Sequence, residues 1–287
     1  MSSTTVSAPT HPSVRNFGGV TFGRVLKSEW IKITTVPSTV ILLAITAVIM
    51  VGLAALSAWS TTVLAEMMAN TPEGVDMAGT PEPASIAGTV PGSGLIFGQL
   101  LVASLAVVLI ASEWGTGMIR STMVAVPTRI PALVAKNLVF AVIAFIVGAG
   151  SAFLGYLVAQ PILATQDLTF SLTDDGILLH IINTGSVLAL VAILAMSIGT
   201  LLRNTAGGVV TSIGLLMVLP ILLLIFSSIA DWIPDAGRFL PSSGGEQMVA
   251  IDIMPDAFNQ WQGALVLGGW ALVLFIASLF VTKARDI

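Results

Sequence analysis

Thr39–Trp59 reads TVILLAITAVIMVGLAALSAW, a run of apolar and small residues with no charge in it. Coiled as a helix at 1.5 Å per residue, such a run reaches about 30 Å, the thickness of a bilayer's hydrocarbon core. Five further runs of the same kind follow at Gly94–Ser112, Asn137–Ala159, Asn183–Leu202, Ala206–Ile229 and Trp261–Thr282. Each must be helical, because a lone segment in lipid has to satisfy its own backbone hydrogen bonds. A β-barrel would need runs of about ten residues with strict alternation, and these are longer and uniformly apolar. The whole chain agrees with the runs. Of 287 residues 55% are hydrophobic and 9% charged, against about 25% charged in a soluble domain. A water-covered surface, and with it an ordinary cytosolic enzyme, is excluded. Zero cysteines exclude disulfides, thiolate metal sites and a cysteine nucleophile.

The few charges give the topology. Arg15, Arg24, Lys27 and Lys32 precede the first run, Arg120, Arg129 and Lys136 lie between the second and third, Arg203 between the fourth and fifth, and Lys283 and Arg285 after the sixth. Ten of the eleven bases therefore share one side, and only Arg238 lies on the other. The positive-inside rule puts that side, with both termini, in the cytoplasm of a cell (inner or plasma) membrane. Residues 1–16 are polar and read as a disordered cytoplasmic tail. Residues 17–36 form an amphipathic helix, and residues 37–287 the six-span domain. Trp30, Trp59 and Trp261 fall at the interfaces, where tryptophan anchors.

None of the six runs holds Asp, Glu, Lys, Arg or His. Ion-coupled carriers keep charge in the pathway, so the runs argue against a secondary carrier. His180 falls just before the fourth run and reads as an outer-interface histidine. Gly148, Gly150 and Gly155 in the third run, and Gly207, Gly208 and Gly214 in the fifth, suit close helix approach. Pro220 should kink the fifth helix or loosen its hydrogen bonding. Residues 60–93, with Pro72, Pro81, Pro83 and Pro91, read as a flexible outer loop. Residues 230–260 mix apolar side chains with turns and acids and suit short re-entrant helices.

Two cytoplasmic segments look like contact surfaces. In Phe17–Val36, Phe22, Val25, Leu26 and Ile33 share one helical face and Arg24, Lys27, Ser28 and Lys32 the other, as in a helix lying in the headgroup layer. Glu29 breaks the pattern from the apolar arc and Ile31 from the polar arc, so part of this helix is expected to meet protein. The second segment, Glu113–Lys136, is far longer than a connector needs, and Met118, Ile119, Met123 and Val124 give it apolar knobs suited to a cleft on a cytosolic partner. A plain topology-holding loop is the simpler alternative.

The run Glu113-Trp114-Gly115-Thr116-Gly117-Met118-Ile119-Arg120-Ser121-Thr122, with Pro127, Arg129 and a lysine before the next span, resembles the cytoplasmic motif of type-2 ABC exporter permeases of the bacterial drug and antibiotic export branch. It departs at Gly115, where a basic residue is common in that family. Ser28–Lys32 resembles the connecting helix before the family's first span, and Leu240–Gly245 its extracellular re-entrant stretch. The resemblance implies an all-α permease of six helices that pairs with a second permease subunit, as a homodimer or heterodimer. It also implies docking on a separate cytosolic ABC ATPase. Glu113, Gly117, Ile119 and Arg120 would lie in the coupling helix, Arg129 and Lys136 in its exit, and Glu29 and Lys32 in the connecting helix. ATP and magnesium belong to the partner.

The chain itself carries no catalytic or metal-binding signature. None of its four lysines stands in a G-x-x-x-x-G-K-[ST] run, so it has no phosphate-cradling loop. Its two histidines, His11 and His180, are too far apart for metal-ligand spacing. The expectation is a non-catalytic membrane subunit with no cofactor of its own and no nucleic-acid partner, lying among membrane lipids. Its cargo would be hydrophobic or amphipathic: a drug, an antibiotic peptide or a lipid. The rival readings are an ATP-independent membrane scaffold or accessory protein and, behind it, an ion-coupled carrier.

Overall fold

A computed structural model describes residues 21–72, 79–115, 117, 130–230, 232–251 and 257–284, and among these the regular structure is entirely helical. A surface helix α1 (Phe22–Thr35) leads into α2 (Pro37–Ala69), with Pro37 at its first turn, where a missing N–H costs nothing. After the short α3 (Pro83–Ala87) and a 3-10 turn at Val90–Gly92 come α4 (Leu95–Gly115), α5 (Ile130–Leu163) and α6 (Ile177–Leu202). The fifth run is divided into α7 (Thr205–Ile213), a π-helical turn (Gly214–Val218) and α8 (Leu219–Ile225). Short α9 (Trp232–Gly237) and α10 (Pro241–Val249) precede α11 (Gln260–Ala284).

Six helices are long and apolar enough to cross a membrane: Pro37–Ala69, Val90–Gly115, Ile130–Gln166, Ile177–Leu202, Thr205–Ile225 and Gln260–Ala284. The length and composition of these helices, among the described residues, are those of a multi-pass membrane protein. Most of these helices run past the apolar stretches because nothing stops them. At the end of α2, for example, Thr61 and Thr62 back-bond to the carbonyls of Ser57 and Trp59 and the helix continues to Ala69. The fifth is the exception, ending at Ile225 rather than Ile229.

Helix α6 is the centre. It packs on α4, α5, α7, α10 and α11. Its mean hydropathy of 2.3 is the lowest of the six, yet 67% of its most apolar window is buried, against 17% for the fifth, whose hydropathy is 2.6. Small and hydroxylated residues explain the inversion: Thr184, Gly185, Ala192, Ser197, Gly199 and Thr200 are buried and let neighbouring backbones come close. A Cβ on Gly148 would lie 2.9 Å from the Gly185 Cα, and one on Gly185 2.7 Å from the Phe145 carbonyl oxygen, so α5 and α6 meet backbone to backbone. Gly155 does the same against Ala54 and Pro91, and Gly208 lies against Val107. Gly150 and Gly214 face open space, and a Cβ on Gly207 would meet only its own cap residue Asn204, so these three are not close-approach sites.

Several local expectations change. Part of the supposed flexible outer loop is ordered: Val90, Pro91 and Gly92 are buried against α5, α2 and α6. His180 is buried inside the protein, not exposed at an interface: its Nδ1 meets the Val249 carbonyl, and Asn183 Nδ2 donates to the Met248 carbonyl, so α6 holds the end of α10. Pro220 acts one turn before itself. It cannot donate to residue 216, and the turn over Gly214–Val218 widens to the π pattern.

Candidate functional site

The one cluster of buried charge among the described residues is at the helix ends that carry most of the bases. Glu29 lies on the buried stripe of α1, with Val25 and Ile33 one turn either side. Glu113 lies in the last turn of α4 and Lys136 in the second turn of α5. Lys136 Nζ is 2.7 Å from Glu29 Oε2 and 2.7 Å from Glu113 Oε1. Lys32 Nζ, more exposed, is 2.7 Å from Glu29 Oε1 and 4.0 Å from Glu113 Oε1. Two carboxylates and two ammoniums form a neutral, closed ring.

The ring explains the anomaly in the amphipathic pattern. Glu29, 2% exposed, is on the apolar arc because that arc faces α5, where Val25 and Leu26 pack on Ala132 and Ala135. Burial pushes the Glu29 carboxyl up, but the lysines outweigh it, Lys136 foremost and then Lys32, and hold its pKa below the usual glutamate value. Buried ion pairs offset their desolvation only when well arranged, and removing one partner leaves an uncompensated charge that costs about 3–5 kcal/mol. The arrangement therefore acts as an obligatory joint of three elements: surface helix, end of α4 and start of α5.

Beside it, the Arg203 guanidinium carbon lies 3.9 Å above the centroid of the Trp114 ring. Arg203 caps α6 in the left-handed conformation (φ 52°), and Asn204 then caps α7 by accepting from the Gly207 amide at 2.8 Å. The α6–α7 connection is thereby clasped to the residue following Glu113. Such a cation–π contact is worth roughly 0.5–2 kcal/mol.

Of the eight residues expected in the cytoplasmic contact surfaces, four come together here: Glu29, Lys32, Glu113 and Lys136. They were expected in separate parts of that surface, and the structure makes them one unit. Gly117 has a left-handed φ of 72° with open space beyond it, which suits glycine. Ile119, Arg120 and Arg129 lie outside the described residues. The Trp114–Arg203 clasp was not anticipated. Its signal was a three-residue connection whose first residue is neither Gly nor Asn, the usual left-handed cap. The described residues contain no group of three or more His, Cys, Asp or Glu able to hold a metal. No protein-family model matches the chain, and no characterised protein matches it by sequence.

Proposed function

We propose that this chain is the permease subunit of an ATP-driven exporter of a hydrophobic or amphipathic substrate, powered by a separate cytosolic ABC ATPase. The observation that carries the reading is the buried ring of Glu29, Lys32, Glu113 and Lys136. It clamps both ends of the Glu113–Lys136 segment, and the surface helix before the first span, to one another. A partner that pushes on that segment therefore moves α4, α5 and α1 together. A connector with no mechanical role has no need of a buried four-charge joint. In this reading Gly117, Ile119, Arg120 and Arg129 belong to the docking segment. ATP and magnesium bind the partner, and this chain contributes no catalytic step.

The second permease subunit in this reading lies against α2 and the fifth helix. Val48, Leu56, Val210, Leu224 and Ile225 are exposed there, and α8 touches no other long helix extensively. Both termini are cytoplasmic in a cell membrane, as the bases indicate. At the far end, α9 and α10 form a hairpin that enters the outer half of the bilayer and returns. Supporting this, Gln260 Nε2 donates to the Ala250 carbonyl and Trp270 Nε1 to the Phe239 carbonyl, so α10 runs antiparallel along the first turns of α11.

The test is recovery of the motor. The tagged chain, extracted in mild detergent from its own cells, should bring down an ABC ATPase and stimulate or be required for its hydrolysis in liposomes. Recovery of the intact, folded chain with no ATPase would leave the exporter reading without its energy source.

A further inference from the structure

Arg238, the base on the far side from the other ten, is at the turn between α9 and α10. The next residue, Phe239, has its carbonyl bound by the Trp270 indole N–H at 2.8 Å. Trp270 is ten residues into α11, about 15 Å from its start at 1.5 Å per residue. The hairpin tip, and Arg238 with it, thus lies well below the outer end of α11. That depth rests on the bilayer placement of α9–α10 proposed above, and not on the ATPase.

A charge at such depth is costly unless something answers it. Among the described residues the carboxylate near Arg238 is Asp235, one turn earlier, at 3.6 Å, with the Arg238 side chain about half exposed and that of Asp235 more so. That separation is too long for a good hydrogen bond, and it leaves most of the five guanidinium donors without a protein acceptor. Phe239, the next residue along the chain, lines an apolar groove of about 350 Å³. It is lined by the stripe Val266, Gly269, Trp270 and Val273 on α11 and by Phe239. Phe239 is itself held edge-on by Phe258, with ring centroids 5.4 Å apart. A Cβ on Gly269 would meet nothing within 4 Å, so the groove is open at that residue.

We propose that this is a phospholipid site: one acyl chain occupies the groove between Phe239 and α11, and the phosphate is held by Arg238. The pairing is one of charge and shape. A guanidinium whose one carboxylate contact is long matches a phosphate, which it can bind in forked geometry, and an apolar groove lined by the next residue, Phe239, matches the chain attached to that phosphate. An uncharged apolar occupant would leave Arg238 with only its long contact to Asp235.

The experiment uses the full purified chain in mild detergent, with native mass spectrometry of added dioleoylphosphatidylglycerol and of dioleoylglycerol, which has the same chains and no phosphate. The expected result is retention of the phospholipid and loss of dioleoylglycerol. Retention should fall roughly tenfold or more in Arg238→Gln, from the loss of a charged hydrogen-bonding partner. Gly269→Leu, which adds a side chain to the groove lining at a residue whose Cβ would meet nothing within 4 Å, should lower it as well. Equal retention of dioleoylglycerol, or no change in Arg238→Gln, overturns the proposal. So does a second copy of the chain that is lost in Gly269→Leu while lipid binding stays intact. Depth is checked separately in this cysteine-free chain. Phe239→Cys in sealed vesicles should resist a membrane-impermeant maleimide. Free labelling overturns the placement, whereas protection without lipid discrimination overturns the lipid site alone.

Discussion

Glu29 shows how a single misplaced residue becomes informative. An acid on the apolar arc of an amphipathic helix is either an error or a contact, and the contact is Lys136, more than a hundred positions away in the chain. The sequence showed the exception and its implication that protein lay opposite. It held no sign that Glu113 and Lys136 were the protein in question, because helical periodicity speaks only about neighbours three or four residues apart. Two predictions belong to this scale. Lys136→Met strands two buried carboxylates and should cost about 3–5 kcal/mol, whereas Lys32→Ala, at the exposed side of the ring, should cost about 1 kcal/mol or less. Thermal unfolding of the purified variants gives the ranking, and equal losses would mean the ring is not the joint described. The second concerns pH. The Glu29 pKa is lower folded than its ordinary 4.5, so its stabilisation is fully present above 4.5 and is lost as pH falls through the folded value. The stability difference between the native chain and Glu29→Gln should therefore be flat from pH 6 to 8 and shrink only in acid. A difference that shrinks near neutrality would contradict that assignment.

The long helices were legible one by one because each must satisfy its own backbone in lipid, which makes hydropathy a local property. Their relations were not. Hydropathy alone would place the fifth helix deeper than the fourth, and the reverse holds because Gly185 and its small neighbours trade apolar surface for close approach. Glycines with the same appearance in the sequence also separate only in three dimensions: Gly148 abuts α6, while Gly150 two residues on meets nothing. Gly185→Val should consequently destabilise the chain by about 1–3 kcal/mol through overpacking, and Gly150→Ala should change stability by no more than about 0.5 kcal/mol. Denaturation in detergent distinguishes them, and a tolerant Gly185 would mean that α5 and α6 are more loosely apposed. The ordered turn at Val90–Gly92 was hidden for the opposite reason, since Pro91 reads as loop punctuation although it lies in the middle of a buried 3-10 turn.

For the whole molecule, the scarcity of charge located the protein in a membrane, and the placing of its bases suggested a working end. If the ring transmits a push from a cytosolic motor, Arg120→Glu should abolish ATPase stimulation while membrane insertion and stability are unchanged. Unaltered stimulation would remove Arg120 from the docking surface. If two copies meet through α2 and the fifth helix, single cysteines at the exposed positions Val48 and Leu224 should each cross-link chain to chain in membranes. Cross-linking from the exposed Leu265 or Phe280 on α11 instead would assign the interface to that helix. The π turn at Gly214–Val218 bears on that interface in its own way. A π turn holds one residue more than an α turn, so it resets the angular phase of everything beyond it by about 100°. The half of the fifth helix seated on α4 and α6 and the half that runs toward α9 are therefore indexed independently. A one-residue deletion between Gly214 and Val218 would leave the first half in its seat and swing Leu224 and Ile225 round to a different neighbour. The outer half of this helix is a dial with one-residue steps, and its setting is written in the length of a single turn.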